Sequence, residues 1–553
     1  MNEWYKESVV YQIWPRSFCD GNGDGIGDLE GVLSKLDYIK DLGCNCIWFS
    51  PLYPSPNADF GYDIADYKNI HPEYGDLELF KKVLDEAHKR DIRVIMDLVV
   101  NHTSDEHKWF VESKNPKSPY HDYYFWKKGR HGGKKPPNNW LSCFEGGAWE
   151  KDESNGKYYL HVFAKKQPDL NHDNPRVRQE VKDIMRFWLD MGVDGFREDV
   201  ITFISKKKGL PNGFPIPSAC GIEHYMDGPN IHKYLKEYRD VIKQYDCFTV
   251  GEAPMMTPTK ALKYIEGEGR ELDLMFHFQH MEADCLLVDY IQRDFDLRKM
   301  KSAFSRWQKK INGRAWNTLY LENHDHPRII SRYGNEKYRV ESGKMLANMY
   351  MLQQGTAFVY QGQEIGMLNT RLNSIDEYTD CFVKNNYDIA KNKVHLNEEK
   401  CWEWAVKSTR DNSRTPVQWD SSENAGFTTG TPWFPVNSNY HEINAEKESG
   451  NPNSILNHYK KLIKFKRENE VAIYGDYKEH YKNSSKLYVY ERSYNGKRLL
   501  VINSFCEDRV PFEAPKGFDL EKGTPILCNY DNPTVQGNGF KLRPYESRVY
   551  YFE

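Results

Sequence analysis

The chain has 553 residues, too many for one simple hydrophobic core, so we expect two or three domains. Its 76 Lys and Arg residues nearly balance its 80 Asp and Glu residues, and the net charge of −4 gives no reason to expect nucleic acid or an anionic membrane as a partner. No run of about 18 apolar residues occurs, and the first residues lack the apolar segment of a signal peptide. We therefore expect a cytoplasmic protein with reduced cysteines, either a monomer or a weak homo-oligomer.

Eight strand-like runs alternate with amphipathic helical stretches along the chain. The strand candidates are residues 9–14, 46–51, 92–100, 193–200, 247–252, 274–278, 318–322 and 356–360. Helical candidates between several of them are residues 28–42, 77–89, 175–191, 228–245 and 336–353. Apolar strands that alternate with helices are typical of a parallel sheet buried on both faces. Eight such strands predict an α/β fold, a (β/α)8 TIM barrel.

Two stretches interrupt this alternation. Residues 101–171 are rich in Lys, Gly, Pro, Tyr and Trp and are too long for an ordinary βα loop, which predicts a small inserted domain after strand three. From about residue 471, short strand-like runs separated by turn signals predict a C-terminal antiparallel β-sandwich. We therefore place the first part of the barrel at residues 1–102, the inserted domain at 103–170, the second part of the barrel at 171–472 and the sandwich at 473–553.

Carboxylates stand at the ends of several predicted strands. Asp199, Glu252 and Asp325 lie at the ends of the fourth, fifth and seventh candidates, and Asp97 with His102 lies at the end of the third. Burying charge at a strand end is costly unless the charge is paired or used. One such residue alone is most simply a surface or helix-capping acid. Because loops after barrel strands form the active face, three at matching positions predict the paired carboxylates that glycosidic-bond cleavage requires.

Ordered blocks over essentially the whole chain carry a family resemblance. The blocks are residues 11–18 (YQIWPRSF), 97–102 (DLVVNH), 167–171 (QPDLN), 195–200 (GFREDV), 252 (Glu), 323–325 (NHD), 355–367 (with YQGQEIGM at its end) and 410–416 (RDNSRTP). With them the chain resembles the α-amylase superfamily of glycoside hydrolases, family 13. It is most similar to the oligo-1,6-glucosidase and α-glucosidase group of that family.

The resemblance implies the catalytic roles. Asp199 would be the nucleophile that forms a covalent glucosyl intermediate, and Glu252 would be the acid and then the base. Asp325 would hold ring hydroxyls and favour the distorted, oxocarbenium-like sugar. Arg197 lies two residues before Asp199 and hence on the same strand face, where its charge can keep Asp199 ionised.

The resemblance also implies a closed glucose pocket and therefore an exo-acting α-glucosidase. The pocket residues carried over are Asp59, Tyr62, His102, Phe163, Gln167, His324 and Arg414. Phe163 and Gln167 could equally brace the inserted domain. Val200, directly after the nucleophile, accompanies α-1,6 cleavage in this family, so the expected substrate is a short isomaltose-type oligosaccharide.

A Gly- and Asp-rich turn near the N-terminus suggests a metal site. Residues 20–28 (DGNGDGIGD) match the first half of an EF-hand loop, but position 12 is Gly31 instead of the bidentate Glu. A turn without metal is therefore an alternative. The resemblance implies a structural Ca²⁺ or Mg²⁺ and no organic cofactor. The implied ligands are the side chains of Asp20, Asn22, Asp24 and Asp28 and the carbonyl of Ile26.

Three residues depart from the pattern of the family. Glu198 stands where an apolar residue is usual, and the alternation of a strand turns it toward the surrounding helices, where its carboxylate needs a partner. Ala253 and His326 replace a usual Met and Gln beside Glu252 and Asp325. We expect both positions to lie near the leaving sugar, which leaves the leaving-group preference open.

Other activities remain alternatives at this point. The chain lacks the Arg-Leu-Asp-Arg-Asp run of sucrose isomerases, of which residues 292–294 are a fragment. A trehalose-6-phosphate hydrolase should show a basic cluster at the pocket mouth, and Lys206 to Lys208 could supply one, although a solvated loop is the simpler interpretation. A maltase or sucrase fits as well. A non-catalytic transporter subunit is disfavoured, because the chain keeps all three carboxylates.

Overall fold

The computed structural model describes residues 3–144, 146–216, 219–286, 291–393, 395–531 and 537–553. Its central feature is a sheet of eight parallel strands. These are β1 (Val9–Ile13), β2 (Cys46–Phe49), β3 (Arg93–Leu98), β4 (Gly195–Glu198), β5 (Phe248–Glu252), β6 (Leu274–Phe276), β7 (Thr318–Leu319) and β8 (Thr356–Tyr360). Neighbours pair in the order β7-β8-β1-β2-β3-β4-β5-β6, which confirms the predicted barrel.

The barrel is nearly closed between β6 and β7. There the Thr318 hydroxyl donates to the Met275 carbonyl at 2.9 Å, and the Tyr320 hydroxyl donates to the His277 carbonyl at 3.0 Å. Several strands are shorter than predicted, since β3 ends at Leu98 and β7 at Leu319. The apolar residues beyond these ends are buried without joining the ladder, and periodicity alone does not separate the two cases.

Helices surround the barrel and follow the strands. The longer ones are Leu77–Lys89, Pro175–Met191, Ile231–Ile242, Leu297–Ile311, Arg339–Met351, Glu398–Ser408 and Ile455–Glu468. Shorter helices are Leu29–Ser34, Leu36–Leu42, Lys108–Ser113, Ile222–Tyr225, Pro258–Ile265, Ile329–Tyr333, Cys381–Asp388, Asp411–Arg414, Ala445–Gly450 and Glu470–Tyr474. The predicted bounds 77–89 and 175–191 are correct. The prediction of one helix over 28–42 is wrong, because the backbone leaves helical geometry at Lys35 (φ −110°, ψ 5°).

The inserted segment forms its own small antiparallel sheet. Its strands are Trp126–Lys127, Trp149–Lys151 and Tyr158–Leu160. A separate hydrophobic cluster fills this unit, and Val200 and Phe203 from the loop after β4 belong to it. The inserted unit therefore packs directly on the loop that follows the predicted nucleophile.

The C-terminal part is antiparallel. A five-stranded sheet contains Asp476–His480, Leu487–Tyr494, Lys497–Ser504, Ser547–Phe552 and Thr524–Pro525, and a two-stranded sheet contains Val510–Glu513 and Gly539–Leu542. The two sheets share one hydrophobic cluster, for example Leu500 with Phe512, which confirms the predicted sandwich. The domain boundaries at 102, 170 and 472 stay predictions. Within the described ranges, no helix combines the length and apolarity needed to cross a bilayer.

Candidate active site

A cavity of about 300 Å³ opens at the carboxyl ends of the barrel strands. The predicted site residues that line it are Asp59, Tyr62, His102, Phe163, Gln167, Asp199, Val200, Glu252, His324 and Asp325. The structure therefore brings together side chains that lie up to 266 positions apart in the sequence (325 − 59 = 266). Arg197 and Arg414 are buried and do not line the cavity. Both lie behind its wall and contact the carboxylates there.

One guanidinium joins the carboxylates of three adjacent strands. Arg197, on β4, donates from Nη1 to both oxygens of Asp97 at 2.8 and 3.0 Å and to Asp199 Oδ1 at 2.6 Å. Its Nη2 donates to Glu252 Oε2. Asp97 also accepts from the Tyr62 hydroxyl at 3.0 Å. Arg197 thereby fixes the nucleophile and acid candidates relative to each other, and charge-assisted bonds of this kind are among the strongest in proteins.

Burial sets the protonation order of the two candidates. It raises the pKa of Glu252 to about 8, where the negative charge of Asp199 adds to the effect and the positive charge of Arg197 opposes it. Burial also raises the pKa of Asp199, to about 7, and the Arg197 guanidinium opposes this. The hydrogen bond between the two carboxyls lowers the pKa of Asp199 and raises that of Glu252, which favours the proton on Glu252. A carboxylate and a carboxylic acid therefore coexist near neutral pH, which is the division of roles that glycosidic cleavage needs.

Asp325 lies in a cationic environment. It accepts from Arg414 Nη2 at 3.2 Å and from Arg410 Nη1 at 3.5 Å, and its Oδ2 is 3.0 Å from His324 Nε2. These neighbours hold the pKa of Asp325 well below its usual range, even though burial alone would raise it. Asp325 is thus an ionised hydrogen-bond acceptor that faces the cavity.

One end of the cavity, which we call the blind end, is lined by the polar side chains of Asp59, His102, Gln167 and Arg410, which contact one another. Gln167 Nε2 donates to Asp59 Oδ2 at 3.1 Å and lies 3.3 Å from His102 Nε2. The ring of Tyr62 stacks on His324 with centroids 5.1 Å apart. Gln167 therefore contributes directly to the cavity wall.

Arg410 is a site residue that the sequence analysis missed. It lines the cavity and reaches three carboxylates, with Asp380 at 2.9 Å and with Asp59 and Asp325 at 3.5 Å each. Arg410 and Arg414 belong to one sequence block and are four residues apart, a spacing that places helical side chains on one face. The four-residue spacing from Arg414 could therefore have identified Arg410 as a second arginine of the site.

Ala253 and His326, two of the three residues that depart from the family pattern, lie in different places. His326 lines the cavity, as its place near the leaving sugar suggests. Ala253 does not, because it is fully buried in the barrel core, while the next residues, Pro254 and Met255, line the cavity in its place. The expectation that Ala253 faces the leaving group is corrected accordingly.

Lys206 is not part of a solvated loop. Its side chain is buried, its Nζ lies 2.6 Å from Asp169 Oδ2, and it donates to Asn101 Oδ1 at 2.7 Å. Lys207 and Lys208 are exposed and do not line the cavity. The basic run therefore supplies no cationic cluster at the mouth.

Glu198 faces away from the cavity, toward the helices, as the strand alternation indicates. It is buried close to Arg239 and Asp273, which form a bidentate ion pair at 2.7 and 2.9 Å. Among the described residues, Glu198 Oε2 has no hydrogen-bond partner. Burial raises the pKa of Glu198 to about 8, with the charge of Arg239 opposing the effect.

The predicted metal loop is a network of hydrogen bonds. Asp20 accepts from the backbone N–H groups of Gly23 and Gly25 at 2.7 and 2.8 Å, and Asp28 caps the helix that begins at Leu29. Within the described part of the chain, no group of three or more His, Cys, Asp and Glu side chains is arranged to hold a metal ion. None of the loop residues lines the cavity.

A TIM barrel with buried acid and base carboxyls at its strand ends defines a glycoside hydrolase. Residues 12–475 match the family described as alpha amylase, catalytic domain. An oligo-1,6-glucosidase from Parageobacillus thermoglucosidasius is 48% identical and covers 99% of this chain and 98% of that relative. The chain belongs to the alpha-amylase family.

Solved structures show the same architecture. A trehalose-6-phosphate hydrolase from Bacillus licheniformis is 45% identical, with a TM-score of 0.93 and 99% of both chains covered. An isomaltulose synthase from Klebsiella sp. LX3 is 39% identical, with a TM-score of 0.96 and 99% of both chains covered. Overall fold alone therefore does not separate the activities that these relatives represent.

The position of Glu198 predicts a pH-dependent gain in stability when it is replaced. With a pKa of about 8 in the folded state and about 4.5 in the unfolded chain, Glu198 makes the folded state lose stability as pH rises between these values. Glu198→Leu should raise the thermal midpoint over wild type by on the order of 2–4 °C at pH 8, and by much less at pH 5.

Thermal unfolding at both pH values measures this difference. Glu268→Gln, on an exposed turn, is the matched control and should change the midpoint little at either pH. An equal effect of Glu198→Leu at pH 5 and pH 8 would contradict the titration of Glu198 in this range.

Proposed function

We propose that the protein is a retaining, exo-acting α-glucosidase that releases glucose from the non-reducing end of short α-1,6-linked oligosaccharides. The observation that carries the proposal is the pair Asp199 and Glu252, which one guanidinium bridges in the wall of the cavity. A single guanidinium can bridge two carboxyls only when they are close together, and a short separation is typical of retaining enzymes.

The reaction has two displacements. The Asp199 carboxylate attacks the anomeric carbon while the Glu252 proton moves to the glycosidic oxygen, so the C–O bond breaks and a covalent glucosyl ester forms. Glu252, now ionised, then takes a proton from water, whose oxygen attacks the same carbon and releases Asp199. Two inversions restore the original configuration. Arg197 orients both groups and Asp325 accepts hydrogen bonds from ring hydroxyls.

The blind end of the cavity supports exo action. Asp59, Gln167 and Arg410 form an interlocked polar wall that hydroxyls of a terminal sugar can contact but a longer chain cannot pass. Tyr62, stacked on His324, offers an aromatic face to the C–H face of the ring. One glucose unit is therefore removed at a time.

Two observations support the α-1,6 linkage. Val200 follows Asp199 and lines the cavity with an apolar side chain, which offers no hydrogen bond to a secondary hydroxyl of the leaving sugar. In an α-1,6 linkage the leaving oxygen is bound to a methylene carbon, so an apolar neighbour suits it. Relatives named oligo-1,6-glucosidase at 46–48% identity cover nearly the whole chain.

A phosphorylated leaving group fits this cavity poorly. Among the described residues that line it, Arg410 is the single Arg or Lys, and its guanidinium already pairs with Asp380. Lys206 is buried and forms an ion pair with Asp169, so its ammonium group does not reach the cavity. Phosphate recognition normally uses uncommitted cationic side chains.

We also propose a cytoplasmic location and a structural metal ion. All eleven cysteines are described and carry reduced thiols, which suits a reducing compartment. The ligands would be Asp20, Asn22, Asp24, Asp28 and the Ile26 carbonyl, which would supply only oxygen donors, the type that Ca²⁺ and Mg²⁺ prefer. The ion would brace the loop before the helix at Leu29, far from any catalytic step.

Product analysis tests the linkage. The wild-type enzyme should hydrolyse isomaltose with a kcat/KM about tenfold or more above that for maltose, and should leave trehalose 6-phosphate almost untouched. Val200→Thr, which is nearly isosteric but polar, should lower the ratio of kcat/KM for isomaltose to kcat/KM for maltose. Glucose release from maltose but not from isomaltose would overturn the α-1,6 assignment.

Replacement of the nucleophile tests the mechanism. Asp199→Asn should lower kcat by at least about 10⁴-fold, since the amide cannot form the ester intermediate. The thermal midpoint should stay close to that of wild type, which shows that the barrel is intact. Substantial remaining turnover in a preparation free of wild-type enzyme would mean that another residue attacks the sugar.

Chelation tests the metal. Removal of divalent ions should lower the thermal midpoint, and added Ca²⁺ or Mg²⁺ should restore it in proportion to the logarithm of its concentration. Asp24→Asn keeps the acceptor for the Ile26 N–H but removes the negative charge. The thermal midpoint of this variant should therefore change less when metal is removed or added. A midpoint that does not depend on metal in the wild-type protein would exclude the site.

A further inference from the structure

Much of the cavity wall is apolar. The apolar part of the lining includes Phe163, Phe203, Ile216, Ile222, Met255 and Phe278, which we call the apolar wall. Sugar hydroxyls find few hydrogen-bond partners on such a surface, and burying them unpaired is costly. The apolar wall is therefore matched to a ligand with an apolar face.

Part of the apolar wall is the edge of a packed core. Phe203 belongs to the hydrophobic cluster of the inserted unit, and Phe163 and Ile222 pack against that cluster. The rings of Phe163 and Phe203 stack with centroids 5.8 Å apart. These side chains are held by packing, so their contribution to the wall is preorganised.

Met255 is the most exposed residue of the apolar wall. It is 47% exposed, and it lies in a turn with Pro254 only three residues after Glu252. Its φ is +56°, in the left-handed region where a residue with a Cβ is disfavoured and glycine is favoured. Neither burial nor backbone preference explains a large apolar side chain at this position.

We propose that Met255 is a specificity-determining residue that contacts the apolar face of the leaving group as Glu252 protonates it. This inference rests on the proposed function, since it concerns the group that departs from the same glycosidic bond. The flexible, polarisable thioether side chain adapts to aromatic and aliphatic surfaces. The leaving groups that gain most from this contact are aryl and alkyl alcohols, because they present a larger apolar face than a sugar does.

Two substitutions separate the side chain from the backbone. Met255→Gly removes the side chain and suits the positive φ, whereas Met255→Ala removes it and keeps the unfavourable backbone. Both variants should lower kcat/KM for an aryl α-glucoside about tenfold relative to isomaltose. The inhibition constant of glucose, which occupies the blind end, should not change.

Stability and a matched control complete the experiment. The thermal midpoint of Met255→Gly should equal or exceed that of Met255→Ala, because only glycine relieves the backbone. Leu396→Ala is the control, since Leu396 is also a large exposed apolar residue at 53% but does not line the cavity. The ratio of kcat/KM for the aryl glucoside to kcat/KM for isomaltose should be the same in Leu396→Ala as in wild type.

Two results would overturn the inference. One is that both Met255 variants keep the wild-type ratio of kcat/KM for the aryl glucoside to kcat/KM for isomaltose. The other is an equal loss on both substrates together with weaker glucose inhibition, which would mean that Met255 only holds the loop in place. If the wild-type enzyme instead prefers maltose, the α-1,6 proposal fails, and the ratio of aryl glucoside to maltose then decides the role of Met255.

Discussion

The site depends on one buried cation that faces three buried carboxyl groups. Arg197 is almost completely buried and donates to Asp97, Asp199 and Glu252. If all three were ionised, the cluster would carry two uncompensated negative charges in a low-dielectric interior, which is very unfavourable. At least one carboxyl must therefore retain its proton. Glu252, whose pKa burial raises to about 8 with the negative charge of Asp199 adding to the effect, is the group that retains it, so burial and the charge imbalance together create the proposed general acid.

The same use of buried cations attaches the other parts of the chain to the barrel. Lys206, after β4, pairs with Asp169 from the end of the inserted segment. Lys301, in a barrel helix, donates to three backbone carbonyls of the C-terminal sheet region, those of Tyr481, Ser484 and Leu487. A fully satisfied buried cation fixes geometry strongly, because displacing it leaves both a charge and its acceptors unpaired. The inserted unit is thereby held against the loop that carries Val200.

The sequence was sufficient for the fold and for the identity of the acidic residues, because both follow from local patterns. Alternating apolar runs predicted all eight strands, and strand-end carboxylates with family blocks predicted ten of the residues that line the cavity. It was insufficient where a side chain could point in two directions. Lys206 looked like a solvated residue, Ala253 looked like a cavity residue, and Arg410 was overlooked beside Arg414. Each of these depends on the direction a backbone takes after leaving a strand or helix, which no pattern of residue types encodes.

That direction is set at unfavourable backbone positions close to the functional residues. Phe60 follows Asp59 with φ +45°, Val200 follows Asp199 with φ +34°, and Met255 follows Glu252 by three residues with φ +56°. None of these residues is glycine, and for the β-branched Val200 the left-handed region is a true outlier. Such strain, on the order of 1–3 kcal/mol for each residue, persists only where the surroundings enforce it. A chain selected for stability alone would place glycine at these turns. The three cavity loops instead keep a side chain at each turn, so the shape of the site is maintained at the expense of backbone preference.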